Sequence, residues 1–450
     1  MSVLPPPMLA LVALPVLALI LWRPHLAVAI FALSAPLGLT SLPGGLDVVT
    51  ALSALVVGAA LWDQMFRSGS LIPVSWAAIA ASVWTIGIVG SVAFSSDPGR
   101  AAILGTWQIL AAWLAVGISV LVRTETRLRL VLIAMMIGAG FVAVGGLSGG
   151  FNQSGAFSAS IVENRAMGVF SQPNEYGLYC SMIWGFTLGI ACLCRGYLRW
   201  IAAVVSVASL AGLAASFSRG SWLGAITAAI LMAVLVPQTR RPQALVVTGV
   251  VTVLGASLVI LPYWRLPGLL LSRFLSIFSG DSNPYDNRPL LLAEGLRQWR
   301  ENPVLGVGPN MYPVGALSIQ SGTRTLEGQH AHNLLITIGA EQGLVGLIAL
   351  GILTLAIVSA VRAARSLSRD TRHSESQRIP LGAAVVLSAM GSLIALVAAG
   401  VVDYPLRNPL TRGTCWMIIG LLLAGQRCLP VKASPARPAH SAAGEHVRTS

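Results

Sequence analysis

Gln329-His330-Ala331-His332-Asn333 closes a long polar stretch at the point where an apolar run of membrane-spanning length begins. The position puts imidazoles at a boundary between water and lipid, beside a loop rich in arginine. A neutral imidazole, with an ordinary pKa of about 6.5, suits a base that takes a proton from an attacking hydroxyl. With arginines at hand to hold an anion, the combination points to chemistry on a charged lipid. A plainer reading stays open on these residues alone, because Asn333 is a ready helix cap and His332 could simply sit at the interface.

His330 and His332 form an H-x-H pair, yet no cysteine or nearby carboxylate completes a zinc set and no D-x-D motif offers a divalent-cation site. No metal and no cofactor is expected. Lys432 is the only lysine and lacks the Gly-rich context of a phosphate-cradling loop, so no ATPase of the Walker type is expected either. Cys180, Cys192, Cys194, Cys415 and Cys428 lie in or beside apolar runs and read as small buried side chains.

The arginines are more informative. Arg219 lies in Ser216-Phe217-Ser218-Arg219-Gly220-Ser221-Trp222, a junction between two apolar runs at which Ser218 could cap the second helix. It is either an interfacial residue snorkelling to headgroups or an anion clamp. Arg288 follows Asn283-Pro284-Tyr285-Asp286-Asn287 and precedes Pro289, a pattern that predicts a turn and then a helix capped by Asn287. A guanidinium at a helix N-terminus, among free N–H groups, makes a diphosphate site plausible. In the same helix Leu292, Leu296 and Trp299 predict the face that rests on the membrane domain, and Asn302-Pro303 ends it. Arg297 and Arg300 fall in its last turn and read as structural. Arg165 opens the segment that runs through Gly168, Pro173 and Asn174, where Asn174-Glu175 reads as an ordinary helix start. Glu341, the one acidic residue well inside a span, is nine residues from His332 and so on the opposite helix face. It is not expected to orient that ring. Gly339 and Gly343 predict a close approach by a neighbouring helix.

The elements that must position these residues are membrane helices. Of 450 residues only 10% are charged, and apolar runs recur at membrane-spanning length near 6–22, 26–42, 46–62, 71–94, 101–122, 128–147, 176–194, 198–216, 220–236, 243–262, 333–361, 380–401 and 409–425. The expected fold is an all-α, polytopic membrane bundle of 12 or 13 helices, the first pair least distinct. It divides into N-terminal spans at 1–262, a large loop with short helices at 263–332, C-terminal spans at 333–427 and a disordered tail at 428–450. The first run has no basic segment before it and no cleavage site, so a retained helix is expected. The net charge of +13 is spread between spans and not gathered on a soluble face, which excludes a nucleic-acid binder. With the large loop outside, alternation places most arginines and the tail inside, as the positive-inside rule requires. There is no internal repeat.

These residues resemble the superfamily of bacterial O-antigen ligases and O-antigen polymerases, membrane glycosyltransferases with a GT-C-like helical fold. The resemblance covers most of the chain: the many-helix layout, the late large loop, Gly168-Val169-Phe170 with Pro173-Asn174, the Ser218-Arg219 junction and Pro303-Val304-Leu305-Gly306-Val307-Gly308. Its most specific piece is the ligase signature, here His332-Asn333, nine residues from Leu334 to Gln342, Gly343, Leu344-Val345 and Gly346. The resemblance implies a metal-independent, inverting transfer at the periplasmic face of the inner membrane. The donor would be a glycan on undecaprenyl diphosphate, and the acceptor a lipid A core sugar or another glycan. Arg219 and Arg288 would bind the diphosphate, with Arg165 and Arg407 as further candidates by position, and His332 would activate the acceptor hydroxyl. A polymerase on the same donor is the nearest alternative. A transporter for the lipid-linked glycan is a remoter one, because carriers keep ionisable groups near the membrane midplane.

Overall fold

Apolar stretches of this length have one stable solution in lipid, since a helix satisfies every backbone hydrogen bond within itself. A computed structural model, described at residues 15–38, 40, 42, 46–68, 74–152, 165–260, 266–275, 287–315, 320–321, 324–325, 330–370 and 379–430, is accordingly helical. After a helical stretch at 15–22 come α1 (His25–Leu33), α2 (Val48–Trp62), α3 (Trp76–Ala93), α4 (Pro98–Leu121), α5 (Glu125–Asn152), α6 (Pro173–Leu193), α7 (Tyr197–Ala215), α8 (Arg219–Leu235) and α9 (Pro242–Ile260). Shorter pieces follow: α10 (Leu266–Leu275), α11 (Arg288–Glu301), α12 (Tyr312–Gly315) and an antiparallel pair of two-residue strands, Gln320–Ser321 with Arg324–Thr325. The chain then returns as α13 (Leu334–Asp370), α14 (Leu381–Gly400) and α15 (Pro409–Arg427). Eight of the described helices are long and apolar enough to cross a membrane, and Arg219–Leu235 and Pro242–Ser257 are shorter apolar ones. The chain is a polytopic helical membrane protein.

The expected run 26–42 is not one span. Helix α1 stops at Leu33, and a single 3-10 turn, Ala35–Leu37, with Pro36 inside it follows. Asp47 then starts α2, its carboxylate accepting from the Thr50 N–H at 2.7 Å and the Thr50 hydroxyl at 2.8 Å. The readings of residues 1–14, of Asn283 to Asp286, of Gln329 and of the tail beyond Pro430 lie outside the described residues.

Helices α6 and α14 form the centre. Their apolar windows are 94% and 83% buried, whereas the others stand between 33% and 56%, so these two are wrapped by protein and the rest by lipid on their outer faces. Small residues allow it: a Cβ at Gly185 would lie 3.2 Å from the Gly391 backbone, and one at Gly189 would meet Ser388 Cα at 2.9 Å. Outward side chains such as Phe141, Trp200, Val204 and Ile230 are more than half exposed and apolar, as a lipid-facing surface requires. The turns alternate between two ends of the bundle. One end carries Arg165, Arg219, Arg288 and His332; the other carries Arg123, paired with Asp63 at 2.9 Å, and Arg427, which donates to the Ser119 carbonyl at 2.8 Å.

Candidate functional site

Helix α13 is broken. Gly343 has φ +61° and ψ −153°, a conformation open to glycine, and Pro303 to Gly308 lies across the break as a strap. The strap replaces the interrupted helical bonds: Leu344 N–H donates to the Pro303 carbonyl at 2.9 Å and Val345 N–H to Val304 at 3.2 Å. In return Val307 N–H donates to Ala340 at 2.8 Å and Gly308 N–H to Glu341 at 3.0 Å. A Cβ on Gly343 would lie 2.3 Å from the Val304 oxygen, and one on Gly306 would lie 2.3 Å from the Glu341 carbonyl carbon. The expected helix–helix approach is met at Gly339, which lies against the Trp299 ring of α11, and corrected at Gly343, which admits the strap. Gly346 packs close to the Gln342 side chain.

The strap steers α11. The fully buried residues of α11 are Leu291, Glu294, Gly295 and Gln298; of the expected stripe Trp299 lies against Gly339 and Leu296 is partly buried, whereas Leu292 is exposed. Polar contacts rotate the face: Gln298 Nε2 donates to the Tyr312 carbonyl at 3.1 Å, and the Tyr312 hydroxyl donates to the Leu291 carbonyl. Gly295 faces Ile336 and Ala331 closely, where a side chain would clash. Arg297 holds Glu294 at 2.6 Å and Glu301 at 2.7 Å, in keeping with its structural reading. Asn287 precedes the helix, and Pro289 is in its first turn, but the Asn287 side chain makes no capping bond.

Together these elements set His332 at the head of α13 with φ +50°, a left-handed backbone uncommon outside glycine. Asn333 does cap the helix, its oxygen accepting from Ile336 N–H at 3.0 Å, while its amide donates to the Val401 carbonyl at 3.0 Å. That second bond ties the start of α13 to the turn between α14 and α15. In the turn Asp403 reaches His332 Nδ1 at 3.2 Å, and the same carboxylate oxygen accepts from Tyr404 N–H at 2.8 Å. Burial pushes the Asp403 carboxyl upward, but the hydrogen bond and charge of His332, the Tyr404 N–H and the Arg288 guanidinium hold it below the usual carboxylate range. His330 is turned away, buried between the rings of Tyr312 and Tyr404 at 6.3 and 5.3 Å. Its burial, with Arg407 and His332 nearby, lowers its pKa to about 3.

Beside Asp403 is a small cavity of about 80 Å³ lined by Arg165, Asn174, Ser218, Arg219, Ser221 and Arg288. Three arginines from three separate segments therefore share one cavity. Arg165 is aimed by its neighbours, its Nε donating to the Ser216 carbonyl and its Nη2 to Asn174 Oδ1, both at 2.6 Å. Asn174 thus does more than open a helix. Ser218 makes no capping bond to α8; its hydroxyl pairs with Ser221 at 2.8 Å. Arg407 is exposed and is not among the lining residues, although its charge acts on Glu175 and His330. The residue that sequence reading missed is Asp403. Its available signal was a lone acid between two apolar runs, on the side of the large loop. Among the described residues no three of His, Cys, Asp and Glu gather as metal ligands.

Residues 204–351 match the family model for O-antigen ligase. This region of the chain is similar to the O-antigen ligase family. The match spans about a third of the chain, from α7 through the broken part of α13, and contains Arg219, Arg288, His332, Gly343 and Gly346. Asp403 and Arg165 lie outside it and are brought to the same place by the fold. No curated protein matches the chain.

Proposed function

We propose that this protein transfers a glycan from undecaprenyl diphosphate to a hydroxyl of a lipid A core sugar or a similar acceptor, at the periplasmic face of the inner membrane. The convergence of Arg165, Arg219 and Arg288 beside the His332–Asp403 pair carries this reading. Guanidinium groups suit a diphosphate because they offer planar, forked donors. In the proposed step the acceptor oxygen forms a bond to the anomeric carbon on the face opposite the diphosphate and the carbon–oxygen bond to the diphosphate breaks. Undecaprenyl diphosphate leaves with the bonding pair, and the anomeric configuration inverts.

His332 takes the acceptor proton on Nε2. Its Nδ1–H stays on Asp403, which fixes the tautomer and stabilises the imidazolium as it forms. The arginines offset the charge that builds on the leaving diphosphate. Membrane-embedded helices deliver both lipids to one depth.

Reconstitution tests this directly. Purified protein with a lipid-linked glycan donor and a lipid A core acceptor is expected to form the new glycosidic bond, and His332→Ala to abolish it while donor still binds. Deleting the gene is expected to leave lipopolysaccharide with no attached glycan; a single remaining repeat unit would instead identify a polymerase. Donor movement across the bilayer without any new bond would overturn the enzymatic reading.

A further inference from the structure

Glu341 is 1% exposed inside α13 and has no part in the transfer step. A carboxylate in the interior of a membrane helix is costly, and it persists where it has partners and a task. Its partners are on the chain that leaves the strap. Buried backbone donors need acceptors, and Val307 to Met311 lies in neither helix nor strand. Two donors go to the main chain of α13, Val307 N–H to the Ala340 carbonyl and Gly308 N–H to the Glu341 carbonyl. Pro309 has no N–H, and Met311 N–H turns back to the Gly308 carbonyl at 3.1 Å. Asn310, left-handed at φ +56°, and Tyr312 are left, and the Glu341 carboxylate accepts from both of their backbone N–H groups.

Tyr312 passes this hold to α11 at two points. Its hydroxyl donates to the Leu291 carbonyl in the first turn of α11, and its carbonyl accepts from Gln298 Nε2, at 3.1 Å, in the last turns. Arg288, which lines the arginine cavity, begins that first turn. Gly295 also packs directly on Ala331 and Ile336, so α11 keeps a seat on α13 when the carboxylate is removed. The carboxylate adds polar bonds of fixed direction to that apolar seat.

We infer that Glu341 is a positioning residue: by holding Asn310 and Tyr312 it sets α11, and with it Arg288, relative to His332 at the head of its own helix. The link to Arg288 rests on the transferase reading above, whereas the hold itself rests on the contacts alone.

Two measurements on full-length protein keep these apart. Glu341→Leu removes the acceptor oxygens at similar volume. In hydrogen–deuterium exchange it is expected to speed exchange of the Asn310 and Tyr312 amides at least about tenfold. In reconstituted transfer it is expected to raise the donor KM about tenfold, with kcat and the acceptor KM within about threefold. Glu341→Gln keeps an amide oxygen for the two N–H groups and is expected to return the donor KM to within about threefold of wild type. A side chain that only filled space would lower the melting temperature and leave the donor KM of the folded protein alone. If Glu341→Leu does not fold, Tyr312→Phe breaks the next link by itself and is expected to raise the donor KM about threefold. Unchanged exchange in folded Glu341→Leu would overturn the hold. An unchanged donor KM in that variant, or in Tyr312→Phe, would overturn the link to Arg288. A wild type that forms no product would bring down the transferase reading and that link with it, and exchange would still decide the hold.

Discussion

His332 has two ring nitrogens, and Asp403 occupies one of them, so the division of labour in the proposed step is fixed by a single contact of 3.2 Å. A group that only orients and stabilises the base should affect turnover and leave donor affinity alone. Asp403→Asn is therefore expected to lower kcat by roughly a hundredfold with KM changed less than about threefold. Steady-state kinetics on the reconstituted enzyme checks it; a rise in KM at constant kcat would assign Asp403 to donor binding instead. His330, two residues away, makes the opposite kind of prediction. The unfolded chain takes up a proton at this histidine near pH 6.5, whereas the folded protein resists until about pH 3. Between those values the unfolded state binds more protons, so stability is complete above the unfolded pKa and falls as pH drops through the window. The loss at pH 5 is about 2 kcal/mol, and His330→Phe, which keeps an aromatic ring between the two tyrosines, is expected to flatten the dependence. Melting temperatures from pH 7.5 to pH 5 for both proteins decide the matter.

The signature glycines belong to the scale of the element, where sequence spacing and structural cause differ. Read along the chain, Gly339 and Gly343 look like a seam for another helix. In the fold, Gly343 breaks α13 so that Pro303 to Gly308 can bond across it, and the strap in turn sets α11 with Arg288 at its start. Helical periodicity could not reveal this, because a strap is held by backbone groups that every residue carries. Another cause shifts part of the expected face of α11: Glu294 and Gln298 are held by side-chain contacts with Arg297 and Tyr312, while Trp299 keeps its place against α13. Gly343→Ala forces a left-handed backbone at a position where its Cβ meets the Val304 oxygen at 2.3 Å. It is expected to destabilise the protein by roughly 2 kcal/mol or more and to reduce transfer without altering His332 itself. Leu347→Ala, lower in the same helix and only partly buried, serves as the control for a simple loss of packing. Equal melting temperatures for Gly343→Ala and the wild type would show that the strap is not what the glycine serves.

For the whole molecule, the helical membrane fold was legible because span length and apolar composition are enforced by lipid at every helix. The gathering of Arg165, Arg219 and Arg288 was legible only in part, as arginines on one side of the membrane. Their shared cavity, and the arrival of Asp403 from the turn before α15, depend on long-range packing of α6 against α14 that no local pattern encodes. One consequence of that packing is an apolar cavity of about 410 Å³ between α3, α4, α8, α13, α14 and α15. It begins at Leu334 and Leu406, next in sequence to the His332 and Asp403 segments, and continues down α13 to Leu353, Thr354 and Ile357. Its walls are almost wholly apolar, so under the proposed function it suits a prenyl chain whose diphosphate lies among the arginines above. Filling its deeper part should then penalise long chains alone. Thr354→Trp is expected to raise KM about tenfold for a donor with the full-length prenyl chain, while a short-chain donor that ends above residue 354 stays within about twofold. Equal effects on both donors would mean that the variant disturbs the helix bundle, and no effect on either would place the lipid chain outside this cavity.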